Sequence, residues 1–180
     1  MRAIYADKPE EVKRLLAEGA SLTDGCSEWP GLTPLDLACS WERLDIIPIL
    51  LDHGASPAPR FTRTTRPPYW RTEDPLPRLV LHNDNPGVLP VVKLLLQHGA
   101  DPLGTGPNTL TLAEWWLAPD IRRCLVNFVW EQLQQGRRLW RSDIELYGSI
   151  YAAARCGEGE ALLFFLRQAI HRGFRVGHCE

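Results

Sequence analysis

The side chains that could carry chemistry in this chain of 180 residues are few, and their spacing decides what they can do. His53 and His98 each stand directly before a glycine in two near-identical segments, Leu50-Leu51-Asp52-His53-Gly54-Ala55 and Leu95-Leu96-Gln97-His98-Gly99-Ala100. Two imidazoles that converged could share a metal. Equivalent places in a repeated segment put them instead at the ends of successive helices, where imidazole complements the negative end of the helix dipole. The five cysteines (26, 39, 124, 156 and 179) are well separated and form no Cys-x-x-Cys pair. They are expected to be reduced thiols rather than a zinc site or a disulfide framework. The sequence contains no Gly-x-x-x-x-Gly-Lys-[Ser/Thr], no Gly-x-Gly-x-x-Gly and no His-Glu-x-x-His. Gly104-Thr105-Gly106 is enclosed by Pro102 and Pro107 with no strand before it, which argues against a phosphate loop. No catalytic set, metal or cofactor is expected.

Binding chemistry is better represented. Residues 57–72 hold Arg60, Arg63, Arg66 and Arg71 with no acid, and Phe61, Tyr69 and Trp70 are interleaved among them. Six of the 15 prolines fall in 57–77. Arginine and aromatic side chains on a proline-stiffened segment suit an interface hot spot, because little entropy is lost on ordering. The competing reading is a solvated loop whose rings pack back on their neighbours. Trp41 and Trp116 each follow an alanine by three residues, Trp115 adjoins Trp116, and Trp29 precedes Pro30. These indoles suit either a binding face or a seam between packed elements. Arg122-Arg123 and Arg137, Arg138 and Arg141 are expected to cap a helix C-terminus and stay solvated.

The elements that must position these residues announce themselves as repeats. Leu-Leu-x-x-Gly-Ala recurs at Gly19, Gly54 and Gly99, and weaker versions end at Gly136 and Gly173. Successive glycines lie 35, 45, 37 and 37 residues apart. A helix that runs into glycine is the left-handed C-terminal stop. Upstream, Thr33 is a candidate N-cap with Pro34 at the first helical position. Leu44, Ile46, Ile47, Ile49, Leu50 and Leu51 supply the apolar face of a following helix, and Pro48 falls near its start. Each unit therefore reads as helix, turn, helix, glycine stop.

At these residues the chain resembles the ankyrin repeat. Thr33-Pro34-Leu35 with Ala38 looks like that family's helix opening, with Asp36 where His is usual, and Gly54-Ala55-Ser56-Pro57 and Gly99-Ala100-Asp101-Pro102 resemble its exit. The resemblance implies an all-α solenoid of about five repeats, each a helix pair with a hairpin-like finger, whose concave face binds other proteins. The units are placed at 1–20, 30–56, 78–102, 108–137 and 143–174, in one domain spanning 1–180, with an insertion at 57–77. That insertion accounts for the 45-residue spacing, which exceeds a repeat of about 33 residues. The first unit has room for only part of its first helix, and the fourth is expected to carry a longer second helix. Terminal units are expected to be atypical.

Composition narrows the function classes. The formal net charge of −2 lacks the basic footprint of a general nucleic-acid binder. The longest apolar runs are about five residues against roughly 20 for a spanning helix, and no signal-peptide core follows Met1. A cytoplasmic location without membrane association is expected. Basic residues divide into 17 Arg and three Lys, which fits a GC-rich coding sequence better than a general phosphate-binding role. The reading is a non-enzymatic module that binds another protein and is monomeric by itself. Its expected partner-binding residues are Trp29, Trp41, Arg60, Phe61, Arg63, Arg66, Tyr69, Trp70, Arg71, Trp115 and Trp116. One alternative is a bacterial immunity protein or inhibitor that covers a toxin or effector. Another, disfavoured by the charge balance, is nucleic-acid binding through the arginines of the insertion.

Overall fold

The computed structural model describes residues 1–25, 32–58, 74–80, 85–103, 118–137 and 143–173. Among the described residues it holds nine helices and no strand, an all-α helical-repeat architecture. These are α1 (Arg2–Tyr5), α2 (Pro9–Ala17), α3 (Pro34–Ser40), α4 (Ile46–Asp52), α5 (Pro75–Val80), α6 (Val88–Gln97), α7 (Pro119–Gln134), α8 (Asp143–Cys156) and α9 (Gly159–His171). The chain divides into two compact units, Met1–Thr109 and Leu110–Glu180.

In the first unit α1 packs on α2, α3 on α4 and α5 on α6. The first helices also form one row, α1–α3–α5, and the second helices another, α2–α4–α6. Each helix thus has partners along its row and across it, which is how a repeat too small to bury its own apolar face becomes stable. Leu35, Ile46, Ile47, Leu50, Leu76 and Leu95 are essentially inaccessible between the rows. In the second unit α7, α8 and α9 pack on one another around Leu125, Val126 and Phe165.

The start of α3 is fixed by a reciprocal cap. The Thr33 N–H donates to Asp36 Oδ2 at 2.7 Å, and the Asp36 N–H donates to Thr33 Oγ1 at 3.2 Å. The Thr33 hydroxyl also donates to Asp36 Oδ2, at 2.7 Å. Both residues are buried, so Asp36 satisfies donors that would otherwise be orphaned away from water. Pro34 and Pro48 both fall within first turns, where a missing N–H costs nothing.

One boundary differs from the sequence expectation. The insertion was placed at 57–77, but α5 begins at Pro75. Pro75 and Pro77 occupy its first turn and are buried, and the Asp74 carbonyl accepts from the Arg78 N–H at 3.4 Å. The signal was available: Asp74-Pro75-Leu76 repeats the chemistry of Thr33-Pro34-Leu35. The proline count drew attention to a loop where two of the prolines open a helix.

The glycine stops are left-handed, with φ of +89° at Gly19, +90° at Gly54, +94° at Gly99, +65° at Gly136 and +81° at Gly173. At Gly54 the closing bonds are Gly54 N–H to Leu51 carbonyl and Ala55 N–H to Leu50 carbonyl, both 2.9 Å. That is the paired cap in which a positive φ turns two donors back on the last helical carbonyls. The fourth unit's second helix is longer, as expected from the 23 residues between Ala113 and Gly136 against 16 between Ala38 and Gly54: α7 has 16 residues where α4 has 7 and α6 has 10.

The first helices end the same way, which the sequence did not reveal. The Glu42 N–H donates to the Cys39 carbonyl at 3.3 Å and the Arg43 N–H to the Ala38 carbonyl at 2.9 Å, with Glu42 at φ +51°. Asp7, at φ +53°, closes α1 likewise, and Gly157, at φ +71°, closes α8. Left-handed backbone costs an L-residue roughly 1–2 kcal/mol, with Asp partly exempt and Glu not. Glu42→Gly is therefore expected to stabilise the fold by about 0.5–1 kcal/mol, and Gly99→Ala to destabilise it by about 1–2 kcal/mol. Thermal melts of the two variants check this; shifts of the same sign would refute it.

Candidate functional site

Among the described residues, His53, His98, Cys39 and Cys156 take structural places. His53 caps α4, and its Nδ1 lies 2.8 Å from the Ile49 carbonyl in that helix's last turn. His98 occupies the same place on α6. Cys39 is fully buried in α3, and burial, helped by the nearby Asp36 carboxylate, pushes its thiol far up against a smaller opposing pull from Arg78. Burial also raises the Cys156 thiol, with Arg122 and Arg123 opposing. Thiolate is the reactive form, so neither group is poised for nucleophilic or redox work. Among the described residues no three His, Cys, Asp or Glu side chains group as metal ligands.

The arginines of α7 correct one expectation. Arg122-Arg123 were assigned to a helix C-terminus in solvent; they stand instead in the first turns of α7. Arg122 is buried, and Arg123 pairs with Glu158 at 2.8 Å. Pro119 at the first helical position starts the helix just ahead of them, so the run that suggested a C-terminal cap belongs to the opposite end.

Exposed rings are the surface features with binding potential. Trp41, the C-cap residue of α3, is 43% exposed, and Tyr5, the last residue of α1, is 60% exposed. The two rings meet edge to face, with centroids 5.1 Å apart and planes at 76°. Arg43 fastens the turns that carry them. Its Nε donates to the Ile4 carbonyl at 3.2 Å, its Nη2 to the Tyr5 carbonyl at 2.8 Å, and its Nη1 lies 3.5 Å from Asp7 Oδ2. A guanidinium fork on the last carbonyls of α1 both satisfies acceptors and complements the dipole. The result is a pair of large apolar groups held rigid while facing water, a combination that loses little entropy on binding.

The rest of that row offers little. α3 is buried at every position from Pro34 to Cys39, and α5 at every position but Arg78, which is half-buried. Of the α3 side chains only that of Ser40 is exposed, so access to this helix is concentrated at its C-terminal end beside Trp41.

In the second unit α8 carries Tyr147, 56% exposed, and Tyr151, 38% exposed, with the Arg155 guanidinium 6.0 Å from the Tyr151 ring centre. Sequence reasoning passed over Tyr5, Tyr147 and Tyr151. The i, i+4, i+8 spacing of Tyr147, Tyr151 and Arg155 was the available signal for the last two.

Of the expected partner-binding residues, Trp41 is placed by the structure. Trp29, Arg60, Phe61, Arg63, Arg66, Tyr69, Trp70, Arg71, Trp115 and Trp116 lie outside the described residues, as do Arg138 and Arg141. Among the described residues no helix is long and apolar enough to cross a membrane.

Residues 30–60 match the family model described as Ankyrin repeat. That stretch contains the buried Thr33–Asp36 cap, the α3–α4 pair, Trp41 and the left-handed Gly54. A search of curated proteins found no significant match.

Proposed function

We propose that this ankyrin-repeat protein is a non-enzymatic module that captures one partner protein. Ankyrin repeats generally mediate protein–protein interaction, and the observation that carries the reading here is the Tyr5–Trp41 pair, two large rings packed together yet left open to water. Tyrosine, tryptophan and arginine dominate interface hot spots because they combine area with hydrogen-bonding edges. In this proposal the binding residues also include Trp29, Trp115, Trp116 and the insertion. The insertion supplies Arg60, Arg63, Arg66 and Arg71 with Phe61, Tyr69 and Trp70. A toxin or effector as the partner, which would make the chain an immunity protein, is the narrower form. It requires a gene for a toxic protein beside this one.

Trp70→Ala combined with Arg66→Ala is expected to lower partner affinity by about 2 kcal/mol with helical content unchanged. Isothermal titration against the captured partner measures this, and unchanged affinity would reduce the insertion to a spacer. The acid-free run 57–72 favours one second reading, contact with nucleic acid. Six or more phosphate contacts would make binding fall on the order of a thousandfold from about 50 to about 200 mM salt. A mobility-shift titration at low salt with no shift removes that reading.

A further inference from the structure

The exposed row of α8 reads with opposite charges in its two directions. Asp143 and Arg155 lie six residues to either side of Ser149, and Tyr147 and Tyr151 two residues to either side. All four side chains of the row are exposed. Asp143 meets Arg172 only loosely, at 3.7 Å, and Arg155 extends over the Tyr151 ring. Beside this row runs a second, with Ile150, half-buried, and exposed Ala154, and two such rows spaced by four residues enclose a groove next to the tyrosines.

We propose that this face docks on the same face of a second copy of the chain, the two α8 helices running antiparallel about a two-fold axis that passes between Tyr147 and Tyr151. Asp143 then faces Arg155 of the partner subunit, Arg155 faces Asp143 of the partner subunit, and each tyrosine ridge lies in the other's groove. Residues spaced by four form a ridge inclined to the helix axis, and two such ridges interdigitate at a crossing of about 50°, the commonest helix-packing class. Crossing at that angle keeps the ridges aligned, so the charged ends stay within reach. A two-fold interface must be self-complementary, and a row with an acid at one end and a base at the other is so only when antiparallel. A parallel pairing sets like charges against each other. The row is short, so the interface is smaller than that of stable complexes and the dimer is weak. This self-association replaces the monomer expected from sequence and needs no foreign partner, so its failure leaves the capture of another protein untouched.

Sedimentation equilibrium from about 10 µM to about 1 mM tests it, a range that brackets so small an interface. The wild-type mass is expected to climb toward that of a dimer. R155E and D143R should each weaken association on the order of tenfold or more, since each places like charges together twice. Mixed in equal amounts, the two variants should associate about as well as wild type, because both charged ends then match. Y147A/Y151A, altered only at exposed positions, should be monomeric with an unchanged melting curve. A wild-type mass that stays monomeric to the highest concentration overturns the proposal. So does a mixture no tighter than either variant alone, or a Y147A/Y151A chain that dimerises as before.

Discussion

Truncating Phe165 to alanine is expected to cost about 3–5 kcal/mol, the largest loss from any single side chain among the described residues of the second unit. Phe165 is fully inaccessible on α9 and is flanked one turn away on each side by Ala161 and Ala169, both buried. Those small neighbours let the ring enter the space between helices, and they are too short to refill it once it is gone. The adjoining Phe164 meets the ring edge to face at 6.1 Å, a contact that is also lost. A domain's whole stability is about 5–15 kcal/mol, so the deletion removes a large share. Because a repeat array is held by nearest-neighbour interfaces, the damage should be local. Hydrogen exchange is expected to accelerate in α8 and α9 while the amides of α3 and α4 keep their protection. Phe165→Leu should recover most of the loss. Uniform acceleration through all helices would contradict a nearest-neighbour account.

Removing the exposed rings should do the reverse, leaving the fold and taking the binding. Tyr5→Ala with Trp41→Ala is expected to weaken partner binding by about 3 kcal/mol, roughly a hundredfold or more in dissociation constant. The same variant should shift the melting temperature by only a few degrees, since both rings face water. Arg43→Ala separates positioning from contact. It frees the α1 carbonyls of Ile4 and Tyr5 and should therefore lower stability and weaken binding together. A double ring variant that binds normally, measured by titration with the same partner, would exclude this edge of the molecule from the interface.

What could be read from the sequence was whatever a local rule dictates. Positive φ has a strong residue preference, so Gly19, Gly54, Gly99, Gly136 and Gly173 marked the helix ends. Thr33-Pro34 marked a helix start for the same kind of reason, a cap followed by a residue that needs no N–H. The length of α7 followed from the 23 residues between Ala113 and its glycine stop, Gly136. Failures came where a tertiary demand overrides preference. Glu42 carries a left-handed turn that its residue type gives no hint of, because the α3–α4 packing fixes the turn. Arg122 is buried although arginine runs usually stay in water. Tyr147 and Tyr151 were not singled out, and they point outward. A count of apolar residues does not tell core from exposed stripe; their register against Leu146, Ala152 and Ala153 does.

The central proposal is that the chain captures a protein through aromatic and arginine side chains. The most direct measurement is a pull-down from the native host with two immobilised baits, the wild-type chain and the Tyr5→Ala/Trp41→Ala/Arg66→Ala/Trp70→Ala variant, read by mass spectrometry. The expected result is one protein enriched on the wild-type chain and lost from the variant, with both baits equally helical by circular dichroism. A protein retained equally by both baits, or none enriched on the wild-type chain, would contradict it.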